Sequence, residues 1–379
     1  MDFYNPVEIK FGSGKRLQLF DSCKKNNVLV ICTLTAFDRL KEDISLAKIF
    51  TNENFSFEHG FSSNPSLVDI KNISHKFHQS NINQIIGIGG GSSMDVAKIL
   101  CASIPALNKG YDITDLLEDP SIIEGLNVLQ CIHVPTTAGT GSEVTSFATI
   151  WDYEAKKKNS LSHSSLYAKS AIIDPDLLIT TPFSISLSTG LDAMNQAFES
   201  IWNKNASLKS LEYAEKAASL SLEWLPKIHN INEDKSVREG LFNASLMAGM
   251  AISNTRTSIC HSISYPLTIE LGIPHGLACA FSMKAVSEFN LVHITESLKK
   301  IESTFGRDPL EAVDEIFDVL EVENEINLYI DDQIQVLNLI PEMKSEGRFE
   351  NNIRDCSSED LESIIIKSLQ NLRNARGNT

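Results

Sequence analysis

In "GLDAMNQAFES" (190–200) a carboxylate, Asp192, stands four residues before an amide, Gln196, so both project from one face of a helix. The stretch reads as a helix start with Asp192 in its first turn. Two histidines follow in "HSISYPLTIELGIPHG" (261–276): His261, and His275 inside an Ile-Pro-His-Gly turn that would fix its ring. Asp192 with His261 and His275 offers one oxygen and two nitrogens, a set suited to a divalent first-row metal. Gln196 beside Asp192 is an odd partner, because an imidazole would be expected there. Spacing alone leaves two readings open, a metal site with one ligand exchanged or an ordinary polar helix face with structural histidines.

Two loops of small residues have the make-up of a phosphate cradle. "GIGGGSSMDVAK" (87–98) follows an apolar run and opens a helical one, so Gly89, Gly90 and Gly91 allow close backbone approach. Ser92 and Ser93 add hydroxyls at a helix N-terminus, where free N–H groups and the dipole favour an anion. "PTTAGTGSEVT" (135–145) adds the hydroxyls of Thr136, Thr137 and Thr140. Two such loops after strands of one sheet suit a dinucleotide, with its paired phosphates and riboses. Either loop alone is also compatible with a plain turn.

Elements of two kinds must position these residues. "VLVICT" (28–33), "FSFEHG" (55–60), "QIIGIGG" (84–90), "VLQCIHVPTT" (128–137) and the start of "SAIIDPDLLITTP" (170–182) read as strands. "SLVDIKNISHKFHQS" and "SSMDVAKILCASI" between them read as amphipathic helices, which predicts a Rossmann-like parallel sheet covered on both faces. Beyond 183 only helical periodicity remains. The fold class is therefore α/β plus all-α: a dinucleotide-binding domain over 1–182 and a helical-bundle metal and substrate domain over 183–379. A cleft between two such domains is the expected site. Ser357-Ser358-Glu359-Asp360 reads as a helix start and "RNARGNT" as a frayed tail.

A formal net charge of −16 argues against nucleic acid or an anionic membrane as partner, but not against a small anion held in a local cationic pocket. The N-terminus has no signal-peptide pattern, and no apolar run reaches the length of a bilayer span. Seven cysteines, an odd number without a CxxC pair, fit a reduced cytoplasmic chain and are read mostly as small core residues. His59, His75, His78, His229 and His293 read as surface or loop residues.

Taken together, GGGSxxDxAK, PTTAGTGSE, GxDAxxxAxE and a histidine with PHG downstream resemble the iron-containing (group III) alcohol dehydrogenase family, whose fold is dehydroquinate synthase-like. The resemblance covers nearly the whole chain in order. It implies an NAD(P)-dependent, metal-assisted alcohol dehydrogenase or aldehyde reductase with NAD(H) or NADP(H) and a divalent metal, Fe²⁺ or Zn²⁺ foremost. It implies pyrophosphate at Gly90, Gly91 and Ser92, with Gly89 and Asp95 counted among the cofactor residues. The nicotinamide side falls near Thr136, Thr137 and Thr140, the ribose near Lys158, and the adenine end near Asn64. The family holds its metal with one aspartate and three histidines. Asp192, His261 and His275 match three positions, and Gln196 stands where the fourth ligand is expected. Tyr265 replaces a histidine common in relatives and is a candidate proton relay. Thr33 stands where NAD-preferring relatives carry an aspartate, which leaves NADPH open.

"FATIWDYEAKKKNSL", "STGLDAMNQAFESIWN" and "SISYPLT" are similar to the phosphonoacetaldehyde reductase (hydroxyethylphosphonate dehydrogenase) branch. That implies reduction of phosphonoacetaldehyde to 2-hydroxyethylphosphonate, and separately the edge strands of the sheet offer a surface for pairing into a homodimer. Arg256 in "NTRTSICH" suits a phosphonate, since a guanidinium grips it bidentately. Arg256, Tyr265 and Lys158 form the candidate catalytic group. The run Lys156, Lys157 and Lys158 reads as a cationic patch or a solvated hairpin tip. Alternatives are a general short-chain alcohol, lactaldehyde or diol dehydrogenase and, in another class, a non-catalytic nucleotide-binding protein with a decayed metal site.

Overall fold

A computed structural model describes residues 3–43, 46–62, 64–155 and 157–377, with side chains as far as Arg373. Two compact units result: Asn5–Thr137 with Ser142–Thr181, and Pro182 to the C-terminus joined by the N-terminal residues through Tyr4 and by Ala138–Gly141. The chain thus changes unit at Thr181–Pro182, one residue from the expected boundary. The excursion of Ala138–Gly141 into the helical unit has no counterpart in the sequence expectation.

The first unit carries a six-stranded parallel sheet in the order β1 (Glu8–Phe11), β8 (Ser170–Ile173), β5 (Gln130–Pro135), β4 (Gln84–Gly89), β2 (Val28–Ile31) and β3 (Phe55–Glu58). Val28, Leu29, Val30 and Ile31 are all buried, as a strand covered on both faces requires. Each such side chain contributes about 1.5–3 kcal/mol of burial. Strand order runs outward from β2 to β3 and then from β4 to β5 and β8, so it reverses between β2 and β4. That switch point is where α/β sheets of this kind accept ligands, outside the strand C-termini.

Helices Leu67–Phe77 and Gly91–Leu107 form where the periodicity put them, the first behind a Ser66–Asp69 capping box. Strand β1 was not foreseen, being four residues at a half-exposed sheet edge with no clear alternation. An antiparallel hairpin, β6 (Phe147–Asp152) with β7 (Lys157–Ser162), adds a second small sheet. Lys157 and Lys158 open β7, and Lys156 lies outside the described residues.

The second unit contains no strand among the described residues. Its main helices are Phe183–Ile201, Leu208–Trp224, Lys235–Thr255, Ile259–Leu271, His275–Phe305 and Ser358–Gly377. The Phe183–Ile201 helix corrects one expectation, because Pro182 sets its start and Asp192 lies in its third turn rather than its first. Gly190 is interior to it and reads as a break in sequence, yet a Cβ there would stand 2.5 Å from Leu225 Cδ1. The start near Ser357 is as expected, with the Asp360 N–H donating to Ser357 Oγ at 3.0 Å. That helix continues to Gly377, through most of the tail expected to fray; residues 378–379 lie outside the described residues. No described helix is long and apolar enough to cross a membrane.

Candidate metal centre and nucleotide loops

Three helices bring the metal candidates together within the second unit. The Phe183–Ile201 helix presents Asp192, Gln196 and Glu199 along one face, Ile259–Leu271 presents His261 and Tyr265, and His275 opens the helix His275–Phe305. Gly272, at φ 71°, ends the second helix in a left-handed cap, and Ile273-Pro274 leads into the third. The close approach of the third helix to the first needs Gly276. A Cβ there would lie 1.7 Å from the Ser188 carbonyl oxygen.

Donor atoms of Asp192, His261, His275 and Cys279 lie within 4.8 Å of one another. His261 Nε2 is 3.2 Å from Asp192 Oδ1. Its Nδ1 makes a short contact with Glu199 Oε2, and its backbone N–H donates to Glu199 Oε1 at 3.0 Å. A carboxylate behind an imidazole fixes the ring and turns the other nitrogen toward the ion. Glu199 was missed as a functional residue, although it is the glutamate of GxDAxxxAxE. Cys279, one turn after His275 with Sγ 3.9 Å from His275 Nε2, was read as a core cysteine. It is a buried free thiol like five of the others, but it is the one that borders this cluster.

The electrostatics fit a cation. Burial opposes charge on His261, but the Cys279 sulfur, Glu199 and Asp192 outweigh it and hold the imidazole well above the usual histidine value. Burial pushes the Asp192 carboxyl up, and hydrogen bonds and charge from His261, His275 and Gln196 pull it below the usual carboxylate range. Gln196 is 3% exposed, donates from Nε2 to the Thr140 carbonyl at 3.4 Å, and keeps Oε1 buried without a partner among the described residues. Oxygen, nitrogen and sulfur donors around a desolvated pocket suit a first-row divalent metal. Tyr265 stacks on His275 with ring centroids 6.1 Å apart. Arg256, after helix Lys235–Thr255, adopts φ 64° and ψ −179°, a backbone region otherwise kept for glycine.

The glycine turn after β4 and both ends of the second nucleotide loop belong to the first unit, while Ala138–Gly141 of that loop belong to the second. β4 ends at Gly89, whose φ of 145° only glycine adopts readily, and a Cβ there would meet Ser93 Oγ at 2.5 Å. Gly90 is the N-cap of helix Gly91–Leu107 and supplies no side-chain cap. The Thr136 N–H donates to Gly89 O at 2.9 Å, tying the ends of β4 and β5 together. Ser93 Oγ and Thr137 Oγ1 are buried and have no partner among the described residues, as hydroxyls awaiting a ligand would. An uncapped helix N-terminus with two such hydroxyls fits a pyrophosphate.

Asp95, expected among the cofactor residues, lies on the helix behind the glycine turn. Its carboxylate accepts from Ser142 Oγ at 2.6 Å, Thr149 N at 2.9 Å and Lys98 Nζ at 3.3 Å, so it braces the loops. Lys98, fully buried, also donates to Thr145 Oγ1, Ser142 Oγ and the Phe147 carbonyl. Burial pulls the Lys98 pKa down, against Asp95 and Glu143. Thr33 caps helix Leu34–Glu42, accepting from Ala36 N at 3.3 Å at the end of β2. Asn64 is exposed, its carbonyl taking the Tyr153 hydroxyl. Lys158 lies on β7 with its ammonium 5.3 Å from the Trp151 ring centroid. Of the threonines, Thr136 and Thr137 belong with the sheet and Thr140 with the helices.

Residues 6–175 match the iron-containing alcohol dehydrogenase family, and residues 186–369 match its Fe-containing C-terminal domain. The NAD-dependent methanol dehydrogenase of Bacillus methanolicus is 34% identical over 236 residues, 61% of this chain and 60% of that protein. The phosphonoacetaldehyde reductase of Streptomyces viridochromogenes is 34% identical over 211 residues, 54% of this chain and 52% of that protein. Both matches therefore span less than two thirds of the relatives' length. A sulfoacetaldehyde reductase from Bifidobacterium kashiwanohense, solved with NAD⁺, superposes with a TM-score of 0.83 at 25% identity, over 97% of this chain and 98% of that one. With both halves of the sequence matched and the parallel sheet and helical unit in agreement, the chain belongs to the iron-containing alcohol dehydrogenase family of oxidoreductases.

Proposed function

We infer that this chain uses NADH or NADPH to reduce a small aldehyde to its alcohol, and that its preferred substrate is phosphonoacetaldehyde, giving 2-hydroxyethylphosphonate. The carrying observation is the convergence of Asp192, His261 and His275 from three helices on one buried point. A divalent metal bound there supplies Lewis acidity to the substrate carbonyl. Asp192, His261 and His275 hold it, and Glu199 keeps the His261 ring oriented. Backbone N–H groups at Gly90–Ser92 bind the pyrophosphate, and the free hydroxyls of Ser93 and Thr137 take further cofactor oxygens. Lys158 serves the ribose and Asn64 the adenine end. The Tyr265 phenol, stacked on His275, passes a proton to the product oxygen. Thr33 brings no negative charge to the end of β2, so a 2′-phosphate is tolerated.

Selection for an anionic aldehyde falls to Arg256, held in its glycine-type backbone conformation five residues before His261. Support comes from two relatives named for acetaldehydes with an anionic head, one phosphono and one sulfo. A charge-assisted contact of about 1.5–3 kcal/mol corresponds to roughly 10–150-fold in kcat/KM. Steady-state rates with phosphonoacetaldehyde and acetaldehyde test this. A ratio inside that range supports the anionic substrate, and equal values return the chain to the short-chain alcohol dehydrogenases, which the methanol dehydrogenase likeness favours. No NADH or NADPH consumption with any aldehyde would leave a nucleotide-binding protein with a decayed metal site. Cytoplasmic location and a homodimer formed through the exposed edges β1 and β3 complete the proposal.

A further inference from the structure

Cys279 follows His275 by four residues, the spacing by which a helix turns two donors toward one point. A tetrahedral metal with zinc-like bond lengths separates an oxygen–nitrogen ligand pair by about 3.4 Å and a sulfur–nitrogen pair by about 3.6 Å. Asp192 Oδ1 and His261 Nε2 are 3.2 Å apart, and Cys279 Sγ and His275 Nε2 are 3.9 Å apart. All four donors fall within 4.8 Å of one another. Gln196 is held differently: its amide nitrogen is on the Thr140 carbonyl, and its remaining donor atom is a neutral oxygen. A thiolate binds a late first-row metal far better than an amide oxygen does.

The geometry points to Cys279 as the fourth protein ligand, giving one carboxylate oxygen, two imidazole nitrogens and one thiolate sulfur, with zinc or cobalt preferred to iron and Gln196 outside the bonded set. This assignment depends on the metal-dependent function inferred above. On binding, the Cys279 S–H bond breaks, the Sγ–metal bond forms, and the proton leaves to solvent. Softness of the fourth donor, rather than its position on the Asp192 helix, then sets the metal preference.

Cobalt(II) titration of the full-length, metal-free protein, followed by absorption, tests the assignment without reference to turnover. The expected wild-type spectrum has visible ligand-field bands together with a near-ultraviolet thiolate-to-cobalt charge-transfer band. Cys279→Ser should keep the former, lose the latter and bind cobalt and zinc about 10–100-fold more weakly. Gln196→Ala should keep the charge-transfer band. Wild-type protein with ligand-field bands and no charge-transfer band overturns the role of Cys279 while the metal site stands. A charge-transfer band retained in Cys279→Ser overturns it too, tracing the sulfur to another cysteine. No cobalt uptake at all sinks both this assignment and the metal-dependent function.

Discussion

Replacing Arg256 separates backbone strain from side-chain function. Its φ of 64° with ψ of −179° is a conformation that costs a non-glycine residue about 1–3 kcal/mol. Three hydrogen bonds to its main chain maintain it. The Arg256 N–H donates to Ile252 O at 2.9 Å, and Thr255 Oγ1 and Asn203 Nδ2 donate to the Arg256 carbonyl at 2.8 and 3.3 Å. All three survive truncation of the side chain. Arg256→Ala and Arg256→Gly lose the same guanidinium, so comparing them cancels it. Glycine relieves the strain but gives back about 0.4–1 kcal/mol through the freedom it adds to the unfolded chain. Arg256→Gly should therefore be more stable than Arg256→Ala by about 0.5–2 kcal/mol, read from urea unfolding at matched m-values. In steady-state assays both variants should lose about 10–150-fold in kcat/KM for phosphonoacetaldehyde and little for acetaldehyde. An alanine variant as stable as the glycine one removes the strain. A glycine variant that keeps the phosphonate preference removes the anion-binding role.

Three other expectations follow from single contacts. Gly276→Ala sets a Cβ 1.7 Å from the Ser188 carbonyl, so it should cost about 1–3 kcal/mol or more and reduce metal content; unchanged metal stoichiometry on elemental analysis would count against the helix seat. Glu199→Gln should weaken metal affinity about 10–100-fold in a chelator competition, because the carboxylate behind His261 no longer fixes a basic Nε2, and an unshifted midpoint refutes that support. Thr33→Asp should move the NADPH-to-NADH ratio of kcat/KM toward NADH by about tenfold, and an unmoved ratio would show that the end of β2 does not meet the ribose.

The central strands were legible because Val28–Ile31 and Gln84–Gly89 are continuous apolar runs that parallel sheets require. The edge strand β1 was not, since four half-exposed residues carry no periodicity and only pairing with β8 makes them a strand. Asp192, His261 and His275 could be singled out by type and spacing. Glu199 and Cys279 are harder to single out, since a carboxylate supporting an imidazole and a thiol facing a ligand pocket look like a surface acid and a core cysteine until the fold is seen. A repeat of the i, i+4 rule beyond His275 would have flagged Cys279. The three protein donors to Asp95 are hidden in the same way, because its motif position does not say what its carboxylate faces. His133, buried on β5, gave no sequence signal at all.

Lys98 joins the helix behind the glycine turn to Ser142, Thr145 and the first residue of β6 through one dehydrated ammonium. The cradle is consequently stiffened while the polypeptide folds, before any dinucleotide arrives. Docking then proceeds on a rigid template, with little loop ordering charged against affinity. Shortening that brace should leave the sheet standing and turn nucleotide capture into a slower event with an entropic handicap, visible by calorimetry as a more negative TΔS.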